Sequence, residues 1–253
     1  MFHSLLFCGE WTNLSNLGTS LVSPKVEAIN DNVMISGNVG GSIPHVFKST
    51  DRGETWEVSL NDSVKRDETG KVIYHPVRTY DLTYIDLDHA IMMCEGLRFW
   101  RTDDGGKNWV YDSLRGGSKS QSDIIARNNI AIARYGSELY FSKDYGKNWD
   151  KYESKFNREF DLDNGDFRPH ALFFLDDSTL IADGSYFVDF YHEDNQYFII
   201  KSTDYGRNWE IIYDKERQLH FSYRLLNNKI IAVGSVQTKP YASTYVDVVQ
   251  IST

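Results

Sequence analysis

Ser202-Thr203-Asp204-Tyr205-Gly206-Arg207-Asn208-Trp209 is one of four copies of a single eight-residue frame. Ser49 to Trp56 reads S-T-D-R-G-E-T-W, Thr102 to Trp109 reads T-D-D-G-G-K-N-W, and Ser142 to Trp149 reads S-K-D-Y-G-K-N-W. Each begins with Ser or Thr, has Asp two residues later, Gly two after that, and Trp three after the Gly. One octamer says little. Four in the same frame form an internal repeat, and a repeat decides the architecture before other signals are weighed. The frame reads physically as a hairpin turn. Ser or Thr closes one strand, and the Asp carboxylate folds back onto nearby backbone N–H groups. Gly takes the positive φ that reverses the chain. Trp opens the next strand and lays its apolar face beneath the turn. Asp51, Asp104, Asp144 and Asp204, with Trp56, Trp109, Trp149 and Trp209, are therefore read as structural residues, with no catalytic role.

These octamers resemble the Asp-box, or BNR repeat, of the sialidase-like β-propeller family. In that family the box joins the third and fourth strands of a blade, on the side away from the ligand site. The resemblance covers the four octamers tightly and the rest of the chain through its periodicity. It implies a propeller and leaves function open, because the box occurs in enzymes, lectins, receptors and assembly factors alike.

Spacing extends the repeat beyond the octamers. Glu10-Trp11-Thr12 resembles the tail of another copy, with Gly9 two positions before the Trp instead of three. At the other end, Val249 to Thr253 (VQIST) matches Val46 to Thr50 (VFKST) and Ile199 to Thr203 (IIKST), the strands that run into an octamer. From Trp11 through the four octamer tryptophans the steps are 45, 53, 40 and 60 residues, and the residues after Trp209 join the first eleven to give 55 more. A four-stranded blade takes about 40–50 residues, so five fit and six do not. A second repeated feature agrees. A short apolar run ends in Gly at Val33–Gly37, Ala90–Gly96, Ile130–Gly136, Leu180–Gly184 and Ile230–Gly234. Asn and Asp precede each run, at Asn30–Asn32, Asp86–Asp88, Asn128–Asn129, Asp176–Asp177 and Asn227–Asn228, as tight hairpins require. Near-continuous apolar character suits strands buried on both faces.

The expected fold is all-β: residues 1–253 form one five-bladed β-propeller of four-stranded antiparallel blades. The innermost strands are expected at Lys25–Ile29, Arg78–Ile85, Asp123–Ala126, Pro169–Leu175 and His220–Leu226. Gly9–Asn13 is expected to pair as the outermost strand beside Tyr245–Ile251, closing the ring and leaving no open sheet edge. No helix is required, and Lys151–Asn157 is left unassigned.

Composition narrows the function. The chain carries 27 basic and 36 acidic side chains, a net charge of −9, which repels a nucleic-acid duplex unless a basic patch intervenes. Aromatic residues at 14 % suit a β-rich globular protein. Cys8 and Cys94 each lie in an apolar run and read as buried free thiols. No CxxC or His-Cys cluster suggests zinc. Met1–Trp11 has no basic n-region and too short an apolar run for a signal peptide. No stretch approaches the ~18 apolar residues of a membrane span. These features lead us to expect a cytoplasmic monomer without cofactor, metal or membrane partner, and the compact chain suits a phage or bacterial protein.

The segments leading into the innermost strands hold Ser23–Lys25, His75–Arg78, Ser118–Gln121, Phe167–His170 and His220–Arg224. Their arginines and histidines have two readings. They pair with acids of neighbouring blades such as Glu27, Asp81 and Glu95, or they form an anion pocket, since guanidinium groups bind carboxylate and phosphate bidentately. The candidate ligand residues are Arg78, Tyr80, Arg168, His170, His220, Tyr223 and Arg224. Loops between second and third strands add the glycines of Asn38–Ser42 and an insert, Ser185–Gln196. The aromatic residues of Tyr186–His192 stack on a sugar or base, or pack over the blade edge. Asp161–Asp166 has the D-x-D-x-G pattern of a calcium loop, but Leu172 stands where the EF-hand has its glutamate, so an acidic turn is expected.

The resemblance also raises hydrolysis. Sialidases place three arginines on the substrate carboxylate, pair Tyr with Glu as nucleophile, and use Asp as acid/base. Arg78, Arg168 and Arg224 match that number. The family's Arg-Ile-Pro motif is absent, however, and Phe167-Arg168-Pro169 only partly echoes it, in the wrong blade. The family's enzymes are also six-bladed and longer. No nucleophile elbow or P-loop is present. The first expectation is a non-catalytic, lectin-like propeller with a basic, aromatic axial pocket. Its ligand is a small anionic molecule (a nucleotide or acidic sugar) or a glycan. The alternatives are a sialidase-like glycoside hydrolase and a protein–protein scaffold or assembly factor. A hydrolase needs a Tyr–Glu pair and an Asp together at the axis, whereas a scaffold shows a plugged axis and an exposed apolar patch.

Overall fold

The computed structural model describes residues 21–39, 43–63, 65–74, 76–114, 122–135, 138–152, 155–156, 166–187, 196–215, 219–226, 229–237 and 245–251. Four antiparallel sheets follow one another along the chain. The first is β1 (Val22–Ile29), β2 (Asn32–Val39), β3 (Ile43–Ser49) and β4 (Glu57–Asn61). A short hairpin, β5 (Lys65–Arg66) and β6 (Val72–Tyr74), precedes the second sheet. That sheet is β7 (Thr79–Tyr84), β8 (Ala90–Cys94), β9 (Arg98–Thr102) and β10 (Val110–Ser113). The third is β11 (Ser122–Arg127), β12 (Ile130–Tyr135), β13 (Glu138–Ser142) and β14 (Asp150–Tyr152). Next along the chain, β15 (Lys155–Phe156) runs parallel to the outer edge of the fourth sheet, with Phe156 opposite Trp209. The fourth sheet is β16 (Asp166–Phe174), β17 (Leu180–Phe187), β18 (Gln196–Ser202) and β19 (Asn208–Lys215). A last sheet holds β20 (Leu219–Leu226), β21 (Lys229–Gln237) and β22 (Tyr245–Ile251). Gly9–Asn13, the expected partner of β22, lies outside the described residues, as do Cys8 and Asn227–Asn228. Among the described residues there is no helix, and the end of β14 (Lys151 and Tyr152) and all of β15 supply strand within the segment left unassigned.

The octamers build the turn between third and fourth strands. β3, β9, β13 and β18 end on Ser49, Thr102, Ser142 and Ser202. In the second octamer the Thr102 hydroxyl donates to Asp104 Oδ1 at 2.9 Å and accepts the Gly106 N–H at 2.8 Å. Asp104 then accepts the Asn108 backbone N–H at 2.8 Å and its side-chain amide at 2.7 Å. Asn148 and Asn208 repeat this clamp on Asp144 and Asp204, and Thr55 performs it on Asp51 with its hydroxyl. Two successive residues take positive φ: Arg52 and Gly53, Gly105 and Gly106, Tyr145 and Gly146, Tyr205 and Gly206. The first of each pair donates its N–H to the turn between first and second strands of its own sheet, as from Gly105 to the Asp88 carbonyl at 2.7 Å. Both turn families therefore occupy one end of each of these four sheets.

From the second copy on, each octamer also leans on the preceding sheet. Lys48 donates to the Gly105 carbonyl at 2.6 Å, and Ser59 to that of Gly106 at 2.6 Å. Gly106 takes φ +89°, and a Cβ there would lie 2.6 Å from Ser59 Oγ, so a larger residue would strain the backbone and displace the Ser59 side chain. Tyr145 stacks on His89 with ring centroids 3.9 Å apart, and Tyr205 meets Phe141 at 5.5 Å. Trp209 is buried, while Trp56, Trp109 and Trp149 are half-buried.

Among the described residues, three apolar layers fill junctions between sheets. Met34, Val46, Leu82 and Met92 join the first and second sheets. Ile91, Met93, Phe99, Ile124 and Tyr140 join the second and third, and Ile132, Leu139, Leu180 and Ile200 join the third and fourth. Successive residues of β8 thus enter different layers, which is why its sequence is apolar at every position. The first strands lie side by side, β1 against β7, β7 against β11, and β11 against β16.

Candidate functional site

The polar residues that interlock the sheets gather at the N-terminal, or leading, ends of these first strands. Asn38 of β2 reaches into the second sheet, accepting the Thr79 N–H at 2.9 Å and donating to the Thr79 carbonyl at 3.0 Å. Both bonds are buried, and they fix where β7 begins. A register irregularity between Thr79 and Asp81 then turns Asp81 toward its neighbours. Its carboxylate accepts the Ile124 N–H of β11 at 3.0 Å, and Lys25 of β1 stands 3.7 Å away. One side chain therefore touches the first strands of three sheets. Asp123, beside Ile124, pairs with Arg134 across the β11–β12 register. Glu27 lies two residues beyond Lys25 on the same face of β1, as strand alternation requires.

Burial shapes the charges here. Glu27 is pushed up to about 7, first by burial and then by the nearby Asp81 charge, with Lys25 opposing. Asp81 also rises above the ordinary carboxylate range because of burial. The Ile124 N–H and Lys25 offset that rise in part, and Asp123 adds to it. The Tyr84 hydroxyl is pushed up to about 12 by burial and by Glu27. The arrangement offers carboxyl oxygens, an ammonium and a guanidinium at the leading ends, with a proton-bearing carboxyl and phenol behind them. Such a set suits hydrogen bonding to hydroxyl groups. Among the described residues, no group of three or more His, Cys, Asp or Glu is placed to hold a metal ion.

Arg78 is exposed immediately before β7, its carbonyl accepting the Glu95 N–H at 2.8 Å, and Tyr80 is half-buried within the irregularity. Arg168 and His170 lie on β16, with Arg168 opposite Ser185 and His170 in the irregular stretch between Pro169 and Leu172. On β20, His220, Tyr223 and Arg224 stand opposite Ser235, Ala232 and Ile231. The side chains of these five, together with His75 and residues 188–195, lie outside the described residues. Arg78 and Tyr80 thus share a leading end with Asp81, and the other five share the first-strand position of their own sheets. The sequence named Glu27 and Asp81 only as partners for the arginines and histidines; the described contacts of Asp81 are Lys25 and the Ile124 and Leu82 N–H groups. It did not point to the Asp123–Arg134 pair. The available signal was a charged residue near the start of successive first strands, at Lys25, Asp81 and Asp123.

Several solved structures resemble the chain, and they are β-propeller proteins. A PL25 ulvan lyase bound to a GlcA(1-4)Rha3S unit matches with TM-score 0.60 and 10 % identity, over 92 % of this chain and 71 % of that one. The GH74 xyloglucanase of Xanthomonas campestris matches with TM-score 0.56 and 13 % identity, over 90 % of this chain and 36 % of that one. The α-L-arabinanase of Penicillium chrysogenum, complexed with arabinobiose, matches with TM-score 0.53 and 12 % identity, over 90 % and 80 %. No protein-family profile matches the chain, and no curated protein sequence does. At these identities the likeness is one of fold: an all-β propeller of four-stranded antiparallel sheets.

Proposed function

We propose that the chain is a five-bladed propeller that binds a glycan at the leading ends of its first strands, without catalysing a reaction on it. The observation that carries this reading is the Lys25–Asp81–Ile124 contact, with Asp123–Arg134 beside it. Polar groups from three sheets converge where the propeller axis would lie. Carboxylates there accept sugar hydroxyls and disfavour a small anion, so a neutral glycan fits the described half of the ring better than a nucleotide. Arg78, Arg168 and Arg224 remain the residues by which an acidic sugar would be held. The bound oligosaccharides of the ulvan lyase and the arabinanase agree in ligand class.

The packing of the octamers supports closure into five blades. Each from the second on packs against the preceding sheet, so the first needs a sheet before it. The three-stranded β20–β22 sheet would supply one, with Gly9–Asn13 expected as its fourth strand. Deleting residues 1–13 is then expected to leave an open edge and an insoluble or oligomeric product. A soluble monomer with unchanged melting temperature contradicts closure.

Hydrolysis has one observation in its favour: Tyr84, Glu27 and Asp81 lie on adjoining first strands. The phenol is nevertheless buried and holds its proton firmly, the opposite of an activated nucleophile. Binding without turnover is the better account. A thermal-shift screen of neutral oligosaccharides, acidic sugars and nucleotides tests it. Stabilisation by a neutral oligosaccharide without its cleavage supports glycan binding. Stabilisation by nucleotides alone favours the anion pocket, and no stabilisation by any class favours a scaffold.

A further inference from the structure

Behind the Lys25–Asp81 contact, the seam between β1 and β7 contains hydrogen-bonding groups that the fold does not use. Ser36 stands directly opposite Lys25, and Met34 opposite Glu27. Directly opposed residues share a face, so Ser36 lies on the face that carries Glu27. Ser36 is fully buried, and its hydroxyl has no hydrogen-bond partner. From the other side, Tyr84 of β7 is 7 % exposed, its hydroxyl is likewise without a partner, and it lies within the field of Glu27. Buried hydroxyls are ordinarily satisfied, and each exception calls for an explanation such as a bound molecule.

We propose that Glu27, Tyr84 and Ser36 form a subsite for an uncharged hydroxyl-bearing group, the part of the ligand that reaches deepest into the seam. This inference rests on the glycan-binding reading above. A sugar hydroxyl donates one hydrogen bond and accepts two, and here it meets a carboxyl, a phenol and an alcohol. An anionic substituent is disfavoured by the burial of the seam and by the nearby Asp81 carboxylate. The groups facing Glu27 are Lys25 on its own strand and Asp81 and Tyr84 on β7. Asp81 and burial keep Glu27 protonated toward neutral pH, and Lys25 opposes them. The neutral acid donates a hydrogen bond that its conjugate base cannot, so the subsite weakens as pH rises.

The test uses calorimetric titration of the full chain with a panel of neutral oligosaccharides, arabinobiose among them, from pH 5.5 to 8.5. Wild type, Glu27→Gln and Tyr84→Phe are compared. Both replacements keep side-chain shape, and melting temperatures at pH 6 establish that each variant folds. Wild-type affinity is expected to fall as pH rises through about 7, the value at which Glu27 ionises. Glu27→Gln, which donates at every pH, is expected to flatten that profile. Tyr84→Phe is expected to bind about tenfold more weakly, the scale of one lost hydrogen bond, while melting no lower than wild type. Stability supplies a readout without ligand. A carboxyl whose folded value is raised binds more protons folded than unfolded, so its contribution is complete below about 4.5 and lost as pH rises through about 7. Glu27→Gln should therefore lose less stability than wild type over that window. A glycan bound equally well by all three proteins at every pH overturns the subsite and leaves glycan binding standing. Absence of binding by wild type at any pH overturns both.

Discussion

The Asp81 carboxylate accepts the backbone N–H of Ile124 at 3.0 Å, tying the start of the second sheet's first strand to that of the third. The bond is the side-chain equivalent of a ladder hydrogen bond, made where two sheets meet edge to edge. Replacing Asp81 with Leu strands the Ile124 donor and leaves Lys25 without its partner. The expected loss is about 1–3 kcal/mol, the cost of one unsatisfied buried donor. Asp81→Asn keeps an acceptor oxygen and should lose less than half of that. Urea denaturation of both variants checks this, and equal losses would show that the charge rather than the N–H contact matters.

The octamer tryptophans are expected to differ in weight. Trp209 is 3 % exposed and belongs to the layer between the third and fourth sheets. Trp209→Ala should cost about 3–5 kcal/mol, as for other large-to-small core changes. Trp56 and Trp149 are half-buried, and each donates its indole N–H to a carbonyl of its own octamer, Gly53 and Gly146, at 2.9 Å. Their replacement by Ala should cost less. Melting curves for the three variants give the order directly.

Acid should unfasten the turns. Asp51 is held down to about 2, first by the Thr55 hydroxyl and the Thr55 N–H, then by Ser49. Asp104 is held at about 2 by the corresponding bonds from Asn108. A depressed carboxyl contributes stability above its unfolded value near 4, and that stability is lost as pH falls toward 2. Thr55→Val removes the largest of the causes at Asp51. The variant should unfold at higher pH than wild type in an acid titration followed by circular dichroism, and its stability at pH 7 should also be lower.

Much of the fold was legible because the octamer is a local device. Ser142, Asp144 and Gly146 bond within five residues, so their spacing survives as a readable frame. The apolar runs were equally legible, since strands such as β8 feed two layers and leave no polar position. The residue that completes each clamp, Asn108 or Thr55, was not singled out, although it recurs one place before each Trp. The positive φ at Arg52, Tyr145 and Tyr205 was also missed, because no residue type there announces it. The site was less legible. Lys25, Asp81 and Ile124 come from three sheets, and their meeting depends on how the sheets are set around the axis, which no local spacing encodes. Arginines drew attention by their chemistry, whereas Asp81 acquired its role from a backbone irregularity between Thr79 and Asp81.

The central claim is that ligand binds at the leading ends of the first strands and not at the octamer end. Backbone amide chemical-shift mapping, with the neutral oligosaccharide that stabilises the protein most, measures this directly. The account predicts the largest shifts at Lys25, Thr79, Leu82 and Ile124, with Gly106, Gly146 and Gly206 unmoved. Shifts concentrated on those glycines, with Thr79 and Ile124 unchanged, would contradict it.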